Sequence, residues 1–183
     1  MELVKNFKTS KLIKYTFIAL IGSIILAISS KVKIPFYPVP MTMQTLVVVM
    51  IGIAFGWKLG LASVSLYLFE GIIGLPVFSG TPEKGIGFIY FTGPTMGYLV
   101  GFLVTVYFAG KFNYDKNLIK NFLKLSFATS FIYFLGMAWL GTLLGWDKPI
   151  FKLGAEPFLL AELFKILIAT FALKQISKIK KYI

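Results

Sequence analysis

The chain is a succession of apolar stretches that are too long and too closely spaced for the core of a water-soluble domain. Six can be distinguished: about Lys11 to Ser30, Met41 to Phe55, Leu59 to Ile73, Pro94 to Ala109, Leu118 to Leu144 and Pro157 to Leu173. A helix that crosses a bilayer takes about 20 predominantly apolar residues, with a range of about 17–25. The second, third and fourth stretches are therefore short, or run on into their loops. Broken segments of this kind are tolerated where protein or a cavity covers the freed backbone groups. Charged residues make up 14% of the 183 positions and hydrophobic ones 57%, against about 25% and about 45–50% in a soluble domain. These features imply an all-α integral membrane protein, six transmembrane helices in a single bundle. It forms one membrane domain over 1–183, with short Lys-rich ends at about 1–14 and 174–183.

The lysines orient the bundle. Six crossings leave both termini on one side, together with Lys5, Lys8, Lys11, Lys14, Lys58, Lys111, Lys116, Lys120, Lys124, Lys174, Lys178, Lys180 and Lys181. The opposite loops hold only Lys31, Lys33, Lys84, Lys148 and Lys152. The positive-inside rule then places both termini in the cytoplasm. The net charge of +12 is a topology signal and a contact with anionic membrane lipids, not a nucleic-acid footprint. A Lys-rich start followed by an apolar stretch and Ala27-Ile28-Ser29 also fits a cleaved signal peptide loosely. Removing it would leave five helices and spoil the alternation of the lysines.

Several chemistries are excluded. The chain has no Cys and no His, so it offers no disulfide, no Cys/His metal site and no Ser-His or Cys-His catalytic set. All 19 basic residues are Lys, which rules out a bidentate guanidinium clamp. No GxxxxGK[ST] pattern occurs, so the chain cannot itself couple transport to ATP through a P-loop. We assign no catalytic residues, no metal and no cofactor.

What remains points to a ligand. Glu162 and Lys165 interrupt PFLLAELFKILIAT (157–170). An ionisable group at membrane depth costs about 2.5–3.5 kcal/mol on insertion scales. At i and i+3 the pair lies about 60° apart around a helix and about 4.5 Å along it, on one face. One reading is a buried ion pair that steadies the bundle. The other is a ligand site, because desolvation makes a buried pair poor evidence of stability. A carboxylate accepts and an ammonium donates, so together they complement a urea or amide, and the ammonium alone suits a carboxylate. Glu70, at the end of the third stretch, either sits at the interface or lines the same cavity. Gln44 and Thr45 begin the second stretch and either cap it or face the site.

Two loops on the side opposite the termini are irregular. KVKIPFYPVPMTMQT (31–45) packs three prolines into six residues, a stiff approach to the second helix. GLPVFSGTPEKGIGF (74–88) is rich in Gly and Pro. Each is either a connection or a cover over a site. Ala19, Ser23 and Ala27 form a small-residue stripe that either packs within the chain or docks a membrane partner. Trp57, Trp139 and Trp146 suit the membrane interfaces.

KIPFYPVPMTMQT (33–45), LYLFEGIIGLPVFSGTPEKGIGF (66–88), GPTMGYLVGF (93–102) and PFLLAELFKILIAT (157–170) occur in this order. Together they resemble the BioY family, the biotin-binding S components of energy-coupling factor (ECF) transporters. The resemblance spans nearly the whole chain after the N-terminal lysines and implies a six-helix bundle of the S-component type. It also implies capture of biotin from outside and delivery inward across the cytoplasmic membrane, with a membrane coupling protein and two cytoplasmic ATPase subunits as partners. The family pattern Pro-Phe-x-x-Gly-Asp-x-x-Lys carries biotin contacts onto Glu162 and Lys165. Gln44, Thr45, Glu70 and Tyr98 fall in the other matching stretches as ligand-binding candidates. The ligand-covering loops correspond to Pro38 to Thr45, with Pro38 and Pro40, and to Phe78 to Gly87, with Phe78, Gly80 and Gly87. The coupling surface corresponds to Ala19, Ser23 and Ala27. This chain departs from the family in Ala161-Glu162, where Gly-Asp is usual, and in Met96, where Gly is usual. Glu is one methylene longer than Asp, and Ala161 adds a methyl beside the site. Two readings compete with biotin capture: an S-type binder of another vitamin, and an intramembrane enzyme using Glu70, Glu162 and Lys165 for acid–base work.

Overall fold

A computed structural model describes residues 2–180, with side chains from Lys11 onward; part of each Lys-rich end lies outside these described residues. Helix α1 (Glu2–Lys31) leads into a two-stranded antiparallel hairpin, β1 (Lys33–Ile34) and β2 (Met41–Thr42), in which Lys33 faces Thr42 and Ile34 faces Met41. α2 (Gln44–Ile72) follows, then a 3-10 turn (Gly87–Thr92), α3 (Met96–Lys111) and α4 (Leu118–Leu144). The short α5 (Ile150–Gly154) and a second 3-10 turn (Glu156–Phe158) precede α6 (Leu159–Ile179).

By length and composition three helical stretches can cross a membrane: Lys11–Lys31, Gln44–Ile72 and Leu118–Leu144. Met96–Lys111 is a shorter apolar helix. α2 is not straight, however. Gly56 has φ 75° and ψ 172°, and the chain doubles back there. In an unbroken helix Gln44 and Tyr67 would be about 35 Å apart, yet the Gln44 Nε2 donates to the Tyr67 hydroxyl at 2.7 Å. A Cβ on Gly60 would lie 3.6 Å from the Gly52 Cα, so the arms 44–55 and 57–72 pack side by side. With α1, α3, α4 and α6 they make six passes, as the apolar pattern predicts. The passes alternate, so the start of α1, the Gly56 turn, Lys111 and the end of α6 share one end of the bundle. The hairpin, the 73–86 loop and α5 share the other.

Gly56 occupies a region of backbone space essentially reserved for glycine, and a side chain there costs on the order of 1–3 kcal/mol. The new Cβ would meet only the flexible Lys180 side chain, 3.2 Å away, so strain rather than a clash decides the outcome. Gly56→Ala is expected to destabilise the bundle by about that amount. Thermal unfolding in detergent measures it, and an unchanged midpoint would show that the turn does not constrain the two arms of α2.

The small-residue stripe of α1 is used inside the chain. Ala19 and Ser23 are buried, Ala27 is half-buried against the core, and the Ser23 hydroxyl donates to the Glu70 carboxylate on the second arm of α2. A Cβ on Gly22 would run into Ser63, which shows how closely the two helices approach. The opposite face of α1, with Phe17, Ile21, Ile24 and Ile28, is exposed and apolar, as lipid contact requires. Of the two uses the sequence offered for Ala19, Ser23 and Ala27, the structure shows packing within the chain. α3 and α4 meet through Gly97, Gly101 and Gly136, a spacing of four that lets backbones touch. α4 is started by Asn117, whose side chain accepts from the Lys120 amide at 3.0 Å. Trp139 is half-buried, and its Nε1 donates to the Gly93 carbonyl at 2.8 Å.

Candidate functional site

Glu162 and Lys165 lie in the first two turns of α6, and α6 packs against the first arm of α2 and against α4. Both side chains are buried, 5% and 7% exposed. The Lys165 ammonium donates to the Thr42 carbonyl at 2.7 Å and to the Thr45 hydroxyl at 3.0 Å, and lies 3.4 Å from Glu162 Oε2. The same carboxylate oxygen accepts from the Thr45 hydroxyl at 2.9 Å and from the Tyr133 hydroxyl at 2.8 Å. Glu162 Oε1 is buried without a hydrogen-bond partner. Charges at this depth need partners. Lys165 has its full set of acceptors, whereas Glu162 has an acceptor oxygen to spare.

This network forms one wall of a narrow cavity that is partly open to solvent. The hairpin contributes Val39, Pro40, Met41 and Thr42, and α2 contributes Gln44 and Thr45. Ser79, Tyr90 and Thr95 come from the second loop and its extension. Tyr98, Leu99 and Phe102 come from α3, Ile132 and Tyr133 from α4, then Phe158, and Lys165 from α6. The lining is largely aromatic and aliphatic, with polar groups at a few points. Tyr98 is held by its hydroxyl, which donates to the Gly154 carbonyl at 2.8 Å. Tyr133 meets Phe158 in a stacked pair at 6.3 Å. Ser79 Oγ is a second buried polar atom without a partner.

Of the sequence-derived candidates, the structure brings Lys165, Gln44, Thr45 and Tyr98 to this cavity. Glu162 stands just behind the wall. Its partners Thr45, Tyr133 and Lys165 face the cavity, and its own side chain also lines an apolar groove between α4 and α6 with Phe134, Met137 and Leu163. Gln44 and Thr45 do not act as caps. Met43 occupies that position without a side-chain bond, and both side chains turn into the site. Glu70 is not brought to the cavity: it lies on the seam between α2 and α1, bonded to Ser23. Among the covering-loop residues, Pro40 lines the cavity directly. Pro38, Phe78 and Gly80 are buried in the loops around it, and Gly87 is half-buried. Phe78 fills an aromatic cluster with Tyr67, Tyr90 and Phe91 at 5.2, 4.7 and 5.4 Å between ring centroids. Sequence reasoning missed Thr42, Ser79, Tyr90, Thr95, Tyr133 and Phe158. Tyr133 carries the weakest signal, a single tyrosine in the largely apolar run SFIYFLG.

The model of the BioY family matches residues 4–182. The biotin transporter BioY2 of Lactococcus lactis is 34% identical over 167 residues, 89% of each chain. The biotin transporter BioY of Thermotoga maritima is 29% identical over 157 residues, 85% of this chain and 91% of the other. A solved crystal structure, the S-component for biotin from an ECF-type ABC transporter, superposes with a TM-score of 0.73 at 26% identity. The match covers 94% of this chain and 93% of that one.

Proposed function

This chain belongs to the BioY family, and we propose on that footing that the cavity holds biotin, with Lys165 and Glu162 as its polar anchors. The chain is a transport subunit and not an enzyme, an S component that captures biotin for uptake. The observation that carries the site assignment is the buried Lys165–Thr45–Glu162–Tyr133 network with one unpartnered carboxylate oxygen. The ureido ring of biotin offers N–H donors beside a carbonyl, and its side chain ends in a carboxylate. Glu162 Oε1 accepts a ureido N–H once the Tyr133 or Thr45 side chain between it and the cavity moves aside, and the Lys165 ammonium takes the ligand's carbonyl or carboxylate oxygen in place of one of its three present acceptors. Ser79 Oγ supplies a further hydrogen bond at the loop. Tyr90, Tyr98, Leu99, Phe102 and Ile132 cover the apolar ring and chain.

The lysine-rich end of the bundle faces the cytoplasm and the cavity opens outward, in the cytoplasmic membrane. Release inward is driven by a membrane coupling protein and two cytoplasmic ATPase subunits, which supply the P-loop that the chain lacks. Support for this assembly comes from the ECF-type transporter to which the similar solved S-component belongs.

Titration of the purified, detergent-solubilised chain with biotin tests the reading, with thiamine and riboflavin as controls. Saturable binding of biotin alone is expected. Saturation by thiamine or riboflavin with biotin silent would transfer the site to another vitamin and make Ala161-Glu162 the reason.

A further inference from the structure

We propose that Lys31 is a positioning residue for ligand capture: it clasps together the two loops that cover the cavity and thereby sets how long the ligand stays. Lys31 is the last residue of α1, immediately before the hairpin loop begins. Its side chain reaches across to the other covering loop. The ammonium donates to the carbonyl oxygens of Pro76 at 2.7 Å and Phe78 at 2.9 Å and to the Thr81 hydroxyl at 3.1 Å. The Thr81 carbonyl lies at the limit, 3.5 Å away. An ammonium has three protons, and here each has an acceptor. The negative end of the α1 macrodipole also favours a cation at this position.

Lys31 grips residues on both sides of Ser79, the one residue of 73–86 that lines the cavity. Among the described residues the backbone bonds within this loop are local, such as Lys84 N to the Gly80 carbonyl and Gly85 N to the Pro82 carbonyl. Side chains tie it to the bundle. Ser30 and Tyr67 donate to the Val77 carbonyl, Tyr90 donates to the Ser79 carbonyl, and the Phe78 ring is buried. Tyr67, Tyr90 and Phe78 belong to the core, so replacing them disturbs packing. Lys31 is the exposed, charged tie, and it can be removed without opening a cavity. Because the hairpin loop begins directly after it, Lys31 couples the two covers, and a ligand leaving past Ser79 has to break its bonds.

The ligand arm of the test rests on the biotin reading; the loop arm does not. The full chain in nanodiscs is compared with Lys31→Met, which keeps the apolar stem, and with Lys31→Arg. In ligand-free protein, amide hydrogen exchange over 76–85 is expected to speed up by about tenfold in Lys31→Met, the scale of a lost charged hydrogen bond. Biotin dissociation is expected to accelerate by about tenfold as well, with a smaller change in association, an unchanged melting temperature and recovery in Lys31→Arg. If Lys31→Met fails to fold, Thr81→Val removes one acceptor and should shift both rates in the same direction by less. Unchanged loop exchange in a folded variant overturns the proposal. So does faster dissociation with unchanged exchange, which would put Lys31 on the ligand instead. If the parent chain takes no biotin, the ligand assignment fails, and loop exchange still decides the role of Lys31.

Discussion

Lys165→Ala is expected to weaken biotin binding by about tenfold or more, since a hydrogen bond to a charged group is worth about 1.5–3 kcal/mol. The same substitution should destabilise the protein. Lys165 lies 3.4 Å from Glu162 and ties α6 to the Thr42 carbonyl and the Thr45 hydroxyl. Removing one member of a buried pair leaves the other uncompensated, at a typical cost of about 3–5 kcal/mol. Thermal unfolding and biotin titration, run on the same preparation, read the two effects separately. Unchanged affinity would remove Lys165 from the site.

The two effects are separable because they have different causes. Stability falls because a carboxylate is stranded; affinity falls because an ammonium no longer meets the ligand. In the double variant Lys165→Met with Glu162→Gln neither charge remains, and an apolar or neutral replacement of a whole buried pair is often close to neutral in stability. The double variant should therefore melt near the parent chain while still binding biotin weakly. Recovery of binding along with stability would mean that the pair acts only as a strut between α2, α4 and α6.

The same reasoning explains what could be read from the sequence. Glu162 and Lys165 were legible because charges in an apolar run are expensive, so they need a reason to be there. The six passes were legible because lipid imposes length and hydropathy on each. The division of α2 at Gly56 fell between two apolar stretches, in GIAFGWKLG. The Lys-rich ends read as tails, yet α1 begins at Glu2 and α6 continues to Ile179. No proline or glycine stops these helices, and long lysine stems can run along an apolar surface to water. The faces of the helices were less legible. Tyr67 points into the core and Glu70, three residues later, points at α1; spacing alone does not say which neighbour each will meet. The small stripe of α1 announced close packing but not its partner. Tyr133 and Ser79 were silent because one hydroxyl in an aromatic run, or one serine in a loop, looks like any other. The two-residue strands of the hairpin were hidden by prolines that break the alternation of a strand.

The other large effect should come from Gly101. A Cβ there would lie 2.5 Å from the Ile132 Cα and 3.1 Å from the Phe131 carbonyl oxygen. Both are backbone atoms, so no side chain can rotate aside and α3 and α4 must separate. Overpacking of this kind costs about 1–3 kcal/mol and occasionally more. Separation would also disturb Gly97, whose Cβ would clash with the Leu135 carbonyl, and the Tyr98 ring that packs on Gly136. Tyr98, Leu99, Phe102, Ile132 and Tyr133 all line the cavity from these two helices. Gly101→Val should therefore lower the melting temperature sharply and abolish biotin binding together. Gly101→Ala should show the same coupling to a lesser degree. The comparison with Gly56→Ala separates the causes: the Gly56 variant strains a turn far from the cavity and should lose stability with affinity largely kept. If Gly101→Ala loses stability while binding biotin as the parent chain does, the α3–α4 seam does not shape the ligand wall, and the site must be built mainly by α2, α6 and the covering loops.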